Sequence, residues 1–401
     1  MRQIVKIVAF ITILCGVAAC TKSLDAPLPI PVKGIRDSAA NIRSVLRTGP
    51  YTLFYQAFTR AGLDSPYAFY TVFAPSDSAM TAAGLTSAVI NSLSLDSLYT
   101  LIGYHISLGV LPEATLRGDT STVRLPTLEV TTGEAYNFFN QYGPATLQAC
   151  LFVSEKDVLY VNGSPVGKAE AGVEASNGWV YPVNRVLFPP ARTVWNFITS
   201  RPELSMYVEA NWLVDSMNAA SGFYNAVPDS VLFNTAPYDP VDNFGEPSIH
   251  KMITVIAPTN DAFARAGFNT ADDLRQYIGQ SVPSPYSTPP TYNAMDSVLK
   301  THYLCNPGQS TVFYQDMLNS PDINDGWMNT NPALQLERQA LLTAFPDTTM
   351  VMDHFSVNGG VVQVQWNPNV PAAALPFSAG TSFTAVNGAV YEIDQLFYPH
   401  N

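Results

Sequence analysis

The stretch Thr71–Met80, TVFAPSDSAM, gives the strongest structural signal in this 401-residue chain. Its first four residues are typical of a short buried strand, and Pro75 ends that strand because proline fixes its own φ and restricts the residue before it. Ser76 or Asp77 then offers a side chain that caps a helix, and the Asp also suits the positive N-terminal end of the helix dipole. The stretch therefore predicts a buried strand that leads directly into a helix.

The same pattern returns 183 residues later as TVIAPTNDAF (254–263). Two further segments repeat in the same order, LIGYHISLG (101–109) as LKTHYLCNPG (299–308) and NGWVY (177–181) as NGAVY (387–391). The offset grows to 197 at the paired histidines and to 210 at the Asn-Gly pairs, and the Pro/Ser-rich segment 279–292, found in the second copy only, explains the first growth. Repeats in register with a visible insertion indicate a tandem duplication of a module of roughly 150–200 residues.

Spacing between these segments predicts the elements around them. Apolar residues at helical spacing in 53–61 and 98–105 predict two amphipathic helices. From Val123 to Phe188 the pattern changes to short β-rich stretches broken by Gly, Asn and Pro. The pair Asn177-Gly178 predicts a tight hairpin turn, because both residue types tolerate positive φ.

The repeated segments also carry a family resemblance. TVFAPSDSAM and TVIAPTNDAF resemble the first signature segment of the fasciclin (FAS1) domain, Tyr104-His105 resembles its central Tyr-His motif, and residues 161–190 are similar to its closing segment. The resemblance implies an α+β fold of two tandem FAS1-like modules, each a compact seven-stranded β wedge packed with several helices. It also implies adhesion, matrix contact or extracellular ligand binding rather than catalysis. In the second copy Thr301 stands beside His302, where the family has Tyr.

The N-terminus predicts a membrane anchor. Two basic residues precede the apolar run Ile7–Val17, which is too short to span a bilayer. Val17-Ala18-Ala19-Cys20 resembles the lipobox of bacterial lipoproteins, in which the cysteine is lipidated. The alternative is an ordinary secretory signal cleaved near Ala19, with Cys20 as a bystander.

These features divide the chain into four parts. We expect a lipoprotein signal peptide at 1–19, a Pro-rich tether at 20–34, a first FAS1 domain at 35–190 and a second, with insertions, at 191–401. The linker around Pro189-Pro190 is short, so we expect the two modules to form a semi-rigid pair.

Composition excludes one class of partner. The formal net charge is −12 and no basic run is present, so the chain has no electrostatic attraction for a nucleic-acid backbone. Outside the N-terminal segment, Cys150 and Cys305 remain, one in each half and without metal-ligand spacing. We expect two small buried hydrophobic side chains, with a single disulfide between them as the alternative.

The sequence shows no catalytic constellation, and we expect no cofactor and no metal site. Tyr104, His105 and His302 are candidate binding residues, although an apolar helix face predicts core histidines that donate to a backbone carbonyl. Trp327 and Trp366 are candidate sugar-stacking or partner-anchoring residues in the long second module. The alternative, which we favour, is that these aromatic side chains pin long loops to the body of the module. Two acidic segments, 239–246 and 322–326, are interpreted as solvated loops, with a cation site as the alternative.

Three functions follow from these features. The first is a non-catalytic adhesion or ligand-binding lipoprotein of the outer membrane, facing the periplasm or the cell surface. Its partner would be an extracellular or envelope protein or a polysaccharide. The second is an accessory glycan-binding lipoprotein for polysaccharide capture. The third is an envelope hydrolase that uses carboxylates distant in sequence.

Overall fold

The structure is a computed structural model. It describes residues 40–65, 68–118, 122–136, 142–220, 253–278, 281–282, 292–293, 295, 298–299, 302–304, 311–319, 354–359, 361–365, 373–375, 377 and 380–397. The predicted signal peptide and tether, Cys305, both acidic loops, Trp327 and Trp366 lie outside the described residues.

The described part of the first module is a mixture of short helices and strands. The helices are α1 (Ile42–Thr48), α2 (Thr52–Arg60), α3 (Asp77–Ala82), α4 (Ser87–Ser92), α5 (Leu95–Gly103) and α6 (Glu113–Gly118). The strands are β1 (Tyr70–Pro75), β2 (Ile106–Leu108), β3 (Val123–Tyr136), β4 (Tyr142–Glu155), β5 (Val158–Val161), β6 (Ser164–Lys168), β7 (Val173–Ala175) and β8 (Gly178–Val183). The predicted helix at 53–61 is confirmed as α2.

All eight strands belong to one mixed sheet in the order β6-β5-β4-β3-β2-β1-β8-β7. The expected α+β class is therefore confirmed, but the expected count of seven strands is wrong for this module. Strand β1 is an inner strand of the sheet, antiparallel to β2 and parallel to β8. It is buried along its whole length, and the hydroxyl of Thr71, its one polar side chain besides that of Tyr70, is hydrogen-bonded to the backbone of Gly109 and Leu111.

The two faces of β1 point into two different cores. Val72 and Ala74 pack with the helices of the module, whereas Phe73 packs with residues of β3 to β6 and with Tyr181. Complete burial of a valine or phenylalanine side chain contributes about 1.5–3 kcal/mol to the stability of the fold. Strand β1 thus joins a helix layer to a β layer, and a polar residue at position 72, 73 or 74 would disrupt one of the cores.

The second module contributes a further set of elements. They are α7 (Val194–Thr199), a 3₁₀ helix (Pro202–Leu204), α8 (Ser205–Ala220), β9 (Ile253–Pro258), α9 (Asn260–Arg265), α10 (Ala271–Ile278), β10 (Ser281–Val282), β11 (Tyr292–Asn293), β12 (Tyr303–Leu304), α11 (Tyr314–Asn319), β13 (His354–Asn358), β14 (Val361–Gln365), β15 (Ala373–Ala374), β16 (Phe383–Ala385) and β17 (Gly388–Ile393). The described strands form sheets in the orders β12-β9-β17-β16, β13-β14-β15 and β10-β11.

The repeated segments occupy equivalent places in the two modules. β1 runs parallel to β8 with Tyr70 opposite Gly178, and β9 runs parallel to β17 with Ile253 opposite Gly388. After each strand a hydroxyl caps the next helix, Ser76 in α3 and Thr259 in α9. The duplication predicted from the sequence is therefore visible in the structure at these segments.

The Asn-Gly pairs do more than turn the chain. Oδ1 of Asn177 accepts a hydrogen bond from the backbone N–H of Ile42 at 2.8 Å, and Oδ1 of Asn387 accepts one from that of Val194 at 2.8 Å. Each asparagine thereby ties the first described helix of its module to the final strand pair. The predicted hairpin exists, but only Gly178 of the first pair has a positive φ, at 153°. The reason given for Asn177 was therefore wrong, because its side chain rather than its φ explains the residue.

Candidate functional site

His105 lies between α5 and β2 and is completely buried. Its Nε2 accepts a hydrogen bond from the backbone N–H of Leu187 at 2.9 Å, and its Nδ1 lies 2.8 Å from the carbonyl oxygen of Leu101. Because an amide can only donate, the proton of the neutral ring is on Nδ1, which donates to Leu101. Burial lowers the pKa of His105 to about 4, so the ring is neutral at physiological pH.

His302 repeats this arrangement in the second module. Its Nε2 accepts from the N–H of Phe397 at 2.9 Å, and its Nδ1 donates to the carbonyl oxygen of Ile256 at 2.9 Å. Burial lowers its pKa to about 3. The prediction of core histidines that donate to a backbone carbonyl is confirmed at both positions.

Tyr104 is also completely buried. Its hydroxyl donates to the carbonyl oxygen of Cys150 at 3.3 Å and accepts from Nδ2 of Asn162 at 2.8 Å. Burial raises the pKa of Tyr104 above its ordinary value, so the hydroxyl keeps its proton. Tyr104, His105 and His302 therefore have no surface with which to contact a ligand directly, and Tyr104 instead holds the turn that contains Asn162.

That turn touches the second module. Asn162 and Gly163 have φ values of 51° and 73°, as a tight two-residue hairpin turn requires. The carbonyl oxygen of Gly163 accepts from Nε2 of Gln315 at 3.0 Å and from the N–H of Gly380 at 2.9 Å. A Cβ on Gly163 would lie 2.5 Å from a ring carbon of Phe313, so the second module approaches as closely as glycine allows.

A buried carboxylate lies beside this turn. Oδ1 of Asp316 accepts from both the N–H and the hydroxyl of Thr122, each at 2.7 Å, and Oδ2 accepts from the N–H of Phe313 at 2.9 Å. Burial raises the pKa of Asp316 above its ordinary value, although these hydrogen bonds oppose that shift. Thr122 belongs to the first module, so the carboxylate joins the two modules.

An apolar cluster completes the junction. Cys150, Phe152, Phe313 and Ala389 pack together, with the two phenylalanine rings 5.5 Å apart. Cys150 is a free, buried cysteine, as expected. We call the turn at Asn162-Gly163, the Asp316 carboxylate with its Thr122 donors and this cluster the inter-module contact.

Two acidic side chains of the first module, buried Glu155 and half-buried Glu113, have a structural task. Oε1 of Glu155 accepts from the N–H of Glu170 at 2.8 Å, and Oε1 of Glu113 accepts from the N–H of Gly172 at 3.1 Å. Burial raises the pKa of Glu155. Both carboxylates satisfy backbone donors of the loop between β6 and β7. Within the described residues, no group of three His, Cys, Asp or Glu side chains is placed to hold a metal ion.

The second module has a half-open cleft of about 630 Å³. It is lined by Ala262, Arg265, Ala266, Ala374, Leu375, Ile393, Asp394, Gln395 and Leu396. The guanidinium of Arg265 donates to the carbonyl oxygen of Asp394 and lies 4.0 Å from its carboxylate. The positive charge in the cleft is therefore already paired.

Trp212 is an exposed aromatic residue that the sequence did not lead us to single out. Trp212 on α8 is 51% exposed, and its ring makes an edge-to-face contact with Trp195 of α7 at 5.8 Å. The signal was available, because Trp212 occupies the solvent-facing position in the helical period of α8. Trp327 and Trp366, the aromatics chosen from the sequence, are not among the described residues.

The described helices include none that is long and apolar enough to cross a membrane.

Comparison with known proteins identifies the first module. Residues 49–189 match the family model described as Fasciclin domain, so this part of the chain is a fasciclin domain. No curated protein matches the chain. Among solved structures, the chain is similar to a FAS1 domain pair from the insect cell adhesion molecule fasciclin I, at 13% identity and a TM-score of 0.29, over 88% of this chain and 98% of that one. A TM-score this low supports no argument, so the assignment rests on the family model.

Proposed function

We propose that this chain is a non-catalytic binding protein of the bacterial cell envelope that acts in adhesion or ligand capture. The main support is the fasciclin domain at residues 49–189, because fasciclin domains are typically non-catalytic binding modules. The acids Glu113 and Glu155 of this domain fit the proposal, since both carboxylates accept hydrogen bonds from backbone N–H groups.

The binding surface in this proposal does not include the side chains of the Tyr-His motif. Tyr104 and His105 act as positioning residues, because they hold the turn at Asn162-Gly163 and the backbone at Leu187. His302 does the same for the second module. Substitution of these residues would then affect binding only through stability, and it would weaken all ligands alike.

The membrane anchor of the proposal is a lipid on Cys20, with domain boundaries at 35–190 and 191–401 and an outer-membrane location facing the periplasm or the cell surface. The lipobox-like segment Val17–Cys20 supports it. Metabolic labelling with a radioactive fatty acid, followed by membrane fractionation, tests it. The Cys20→Ser variant should lose the label and leave the membrane fraction, whereas unchanged labelling would contradict the anchor.

The binding function is tested with the mature full-length chain on panels of envelope proteins, matrix proteins and polysaccharides. We expect saturable binding to a restricted set of these, with no new reducing ends released from any polysaccharide. If the chain still releases reducing ends from a polysaccharide after further purification, the result would favour the envelope hydrolase instead.

A second candidate function is glycan capture in support of polysaccharide uptake. The exposed and braced ring of Trp212 favours it, since aromatic faces stack on sugar rings. Trp327 and Trp366 remain predicted contributors to such a surface.

A further inference from the structure

We propose that Trp212, together with the polar side chains beside it on α8 and α10, is a binding platform for a neutral pyranose saccharide. This inference rests on the proposed binding function and gives that function a ligand class. The platform is on the second module and is separate from the inter-module contact.

The helical period of α8 singles out Trp212. The helix buries Tyr207, Ala210 and Val214 against the core of the second module. The opposite stripe runs through Ser205, Glu209, Trp212 and Ser216 at spacings of four, three and four residues. An amphipathic helix places polar residues on such a stripe, and Trp212 is the exception. Since about half of its surface stays exposed although one edge packs on Trp195, a large ring at this position points to an external contact.

The ring is held in place before any ligand arrives. Trp195 is only 8% exposed, and it meets Trp212 edge to face with ring centroids 5.8 Å apart. Such contacts stabilise aromatic pairs by about 0.5–1.5 kcal/mol. A braced ring loses little conformational freedom on binding, so more of the stacking energy appears as affinity.

Polar side chains occupy the helical turns before and after Trp212 on α8, and one of them, Glu209, is paired with Arg275 of α10. Glu209 is one helical turn before Trp212, and its carboxylate is 3.2 Å from the guanidinium of Arg275, which also pairs with Asp272 at 2.7 Å. Ser216 is one turn after the ring. Sugar hydroxyls both donate and accept hydrogen bonds, so a mixture of carboxylate, guanidinium and hydroxyl groups suits them. The paired charges favour a neutral sugar over an acidic one.

The size of the apolar surface argues for a sugar rather than a protein. An exposed half of a tryptophan offers about 120 Å², whereas a stable protein interface needs about 800 Å² from each partner. Among the described residues of the second module, the other exposed large apolar side chain is Val361. A single ring flanked by polar groups matches the apolar face of one pyranose.

The test uses the mature chain and linear hexasaccharides of β-1,4-glucose, α-1,4-glucose and β-1,4-mannose. Isothermal titration calorimetry gives the dissociation constant, and tryptophan fluorescence gives an independent signal. We expect at least one hexasaccharide to bind, Trp212→Ala to weaken that binding about tenfold or more, and Trp212→Phe to weaken it less. The matched control is Trp179→Phe, a half-buried tryptophan of the first module, which should leave binding unchanged. Circular dichroism and urea unfolding establish that each variant is folded.

Two results would overturn the inference. If no hexasaccharide binds while the chain still binds an envelope or matrix protein, the saccharide platform is refuted and the proposed binding function stands. If a hexasaccharide binds equally well to folded Trp212→Ala, its site is elsewhere. A chain that binds neither saccharides nor proteins would refute both proposals.

Discussion

The carboxylate of Asp316 provides the sharpest test of the inter-module contact. Both donors of Thr122 reach its Oδ1 at 2.7 Å, and a hydrogen bond to a charged group contributes about 1.5–3 kcal/mol. Burial raises the pKa of Asp316, so the cost of desolvating the charge offsets part of this gain. We expect Asp316→Ala to lower the free energy of unfolding by about 2–4 kcal/mol, and Thr122→Val, which removes only the hydroxyl bond, by about 1–2 kcal/mol.

A double-mutant cycle isolates the bond between the modules. The hydroxyl bond is already absent in each single variant, so the double variant should lose about 1–2 kcal/mol less than the sum of the two single losses. Urea unfolding at pH 7, followed by fluorescence and circular dichroism, measures all four proteins. The control cycle pairs Thr122→Val with Asp272→Ala, since Asp272 is exposed and makes its ion pair on the surface. If the losses in free energy of unfolding caused by the Thr122 and Asp316 substitutions are as additive as those of the control pair, the inter-module contact does not exist in solution.

Three further predictions concern the buried network. Asn387→Ala should lower the free energy of unfolding by about 1–3 kcal/mol in urea, because it leaves a buried backbone N–H without its acceptor. Acid should also destabilise the fold, because the pKa values of His105 and His302 are lowered to about 4 and about 3 in the folded chain. Between pH 6.5 and 4 the unfolded chain therefore binds more protons than the folded chain does. For each histidine the free energy of unfolding then changes by up to about 1.4 kcal/mol per pH unit, and carboxyl groups whose pKa is raised oppose this change. The difference in pH dependence between the wild type and His105→Gln isolates the contribution of one histidine. Equal pH profiles of the two proteins would contradict the neutral, buried state of His105. Finally, Gly163→Ala should destabilise more than Gly62→Ala, because both have positive φ but only Gly163 faces the second module; similar urea midpoints would contradict the close approach.

Local sequence patterns were sufficient for much of the first module. The run TVFAP became β1, Ser76 became the cap of α3, and the apolar spacing at 53–61 became α2. Strand alternation, helix caps and amphipathic spacing each depend on residues within about four positions. The core role of His105 was also predicted, but the helix expected at 98–105 ends at Gly103, so His105 lies beyond α5 and not on its apolar face. The strand count did not follow, because it depends on which segments pair across the sheet.

The sequence by itself determined the duplication and the residues that start and end the short elements, since these depend on neighbouring residues or on direct repeats, and its resemblance to the fasciclin domain implied the α+β class. Tertiary structure alone decided that Asn177 ties down Ile42, 135 positions away, and that Thr122 meets Asp316, 194 positions away. It also decided that Trp212 stays exposed while Tyr104 is enclosed. These outcomes depend on which segments, far apart in the sequence, pack together in the folded chain. The periodicity of neighbouring residues does not predict such long-range contacts.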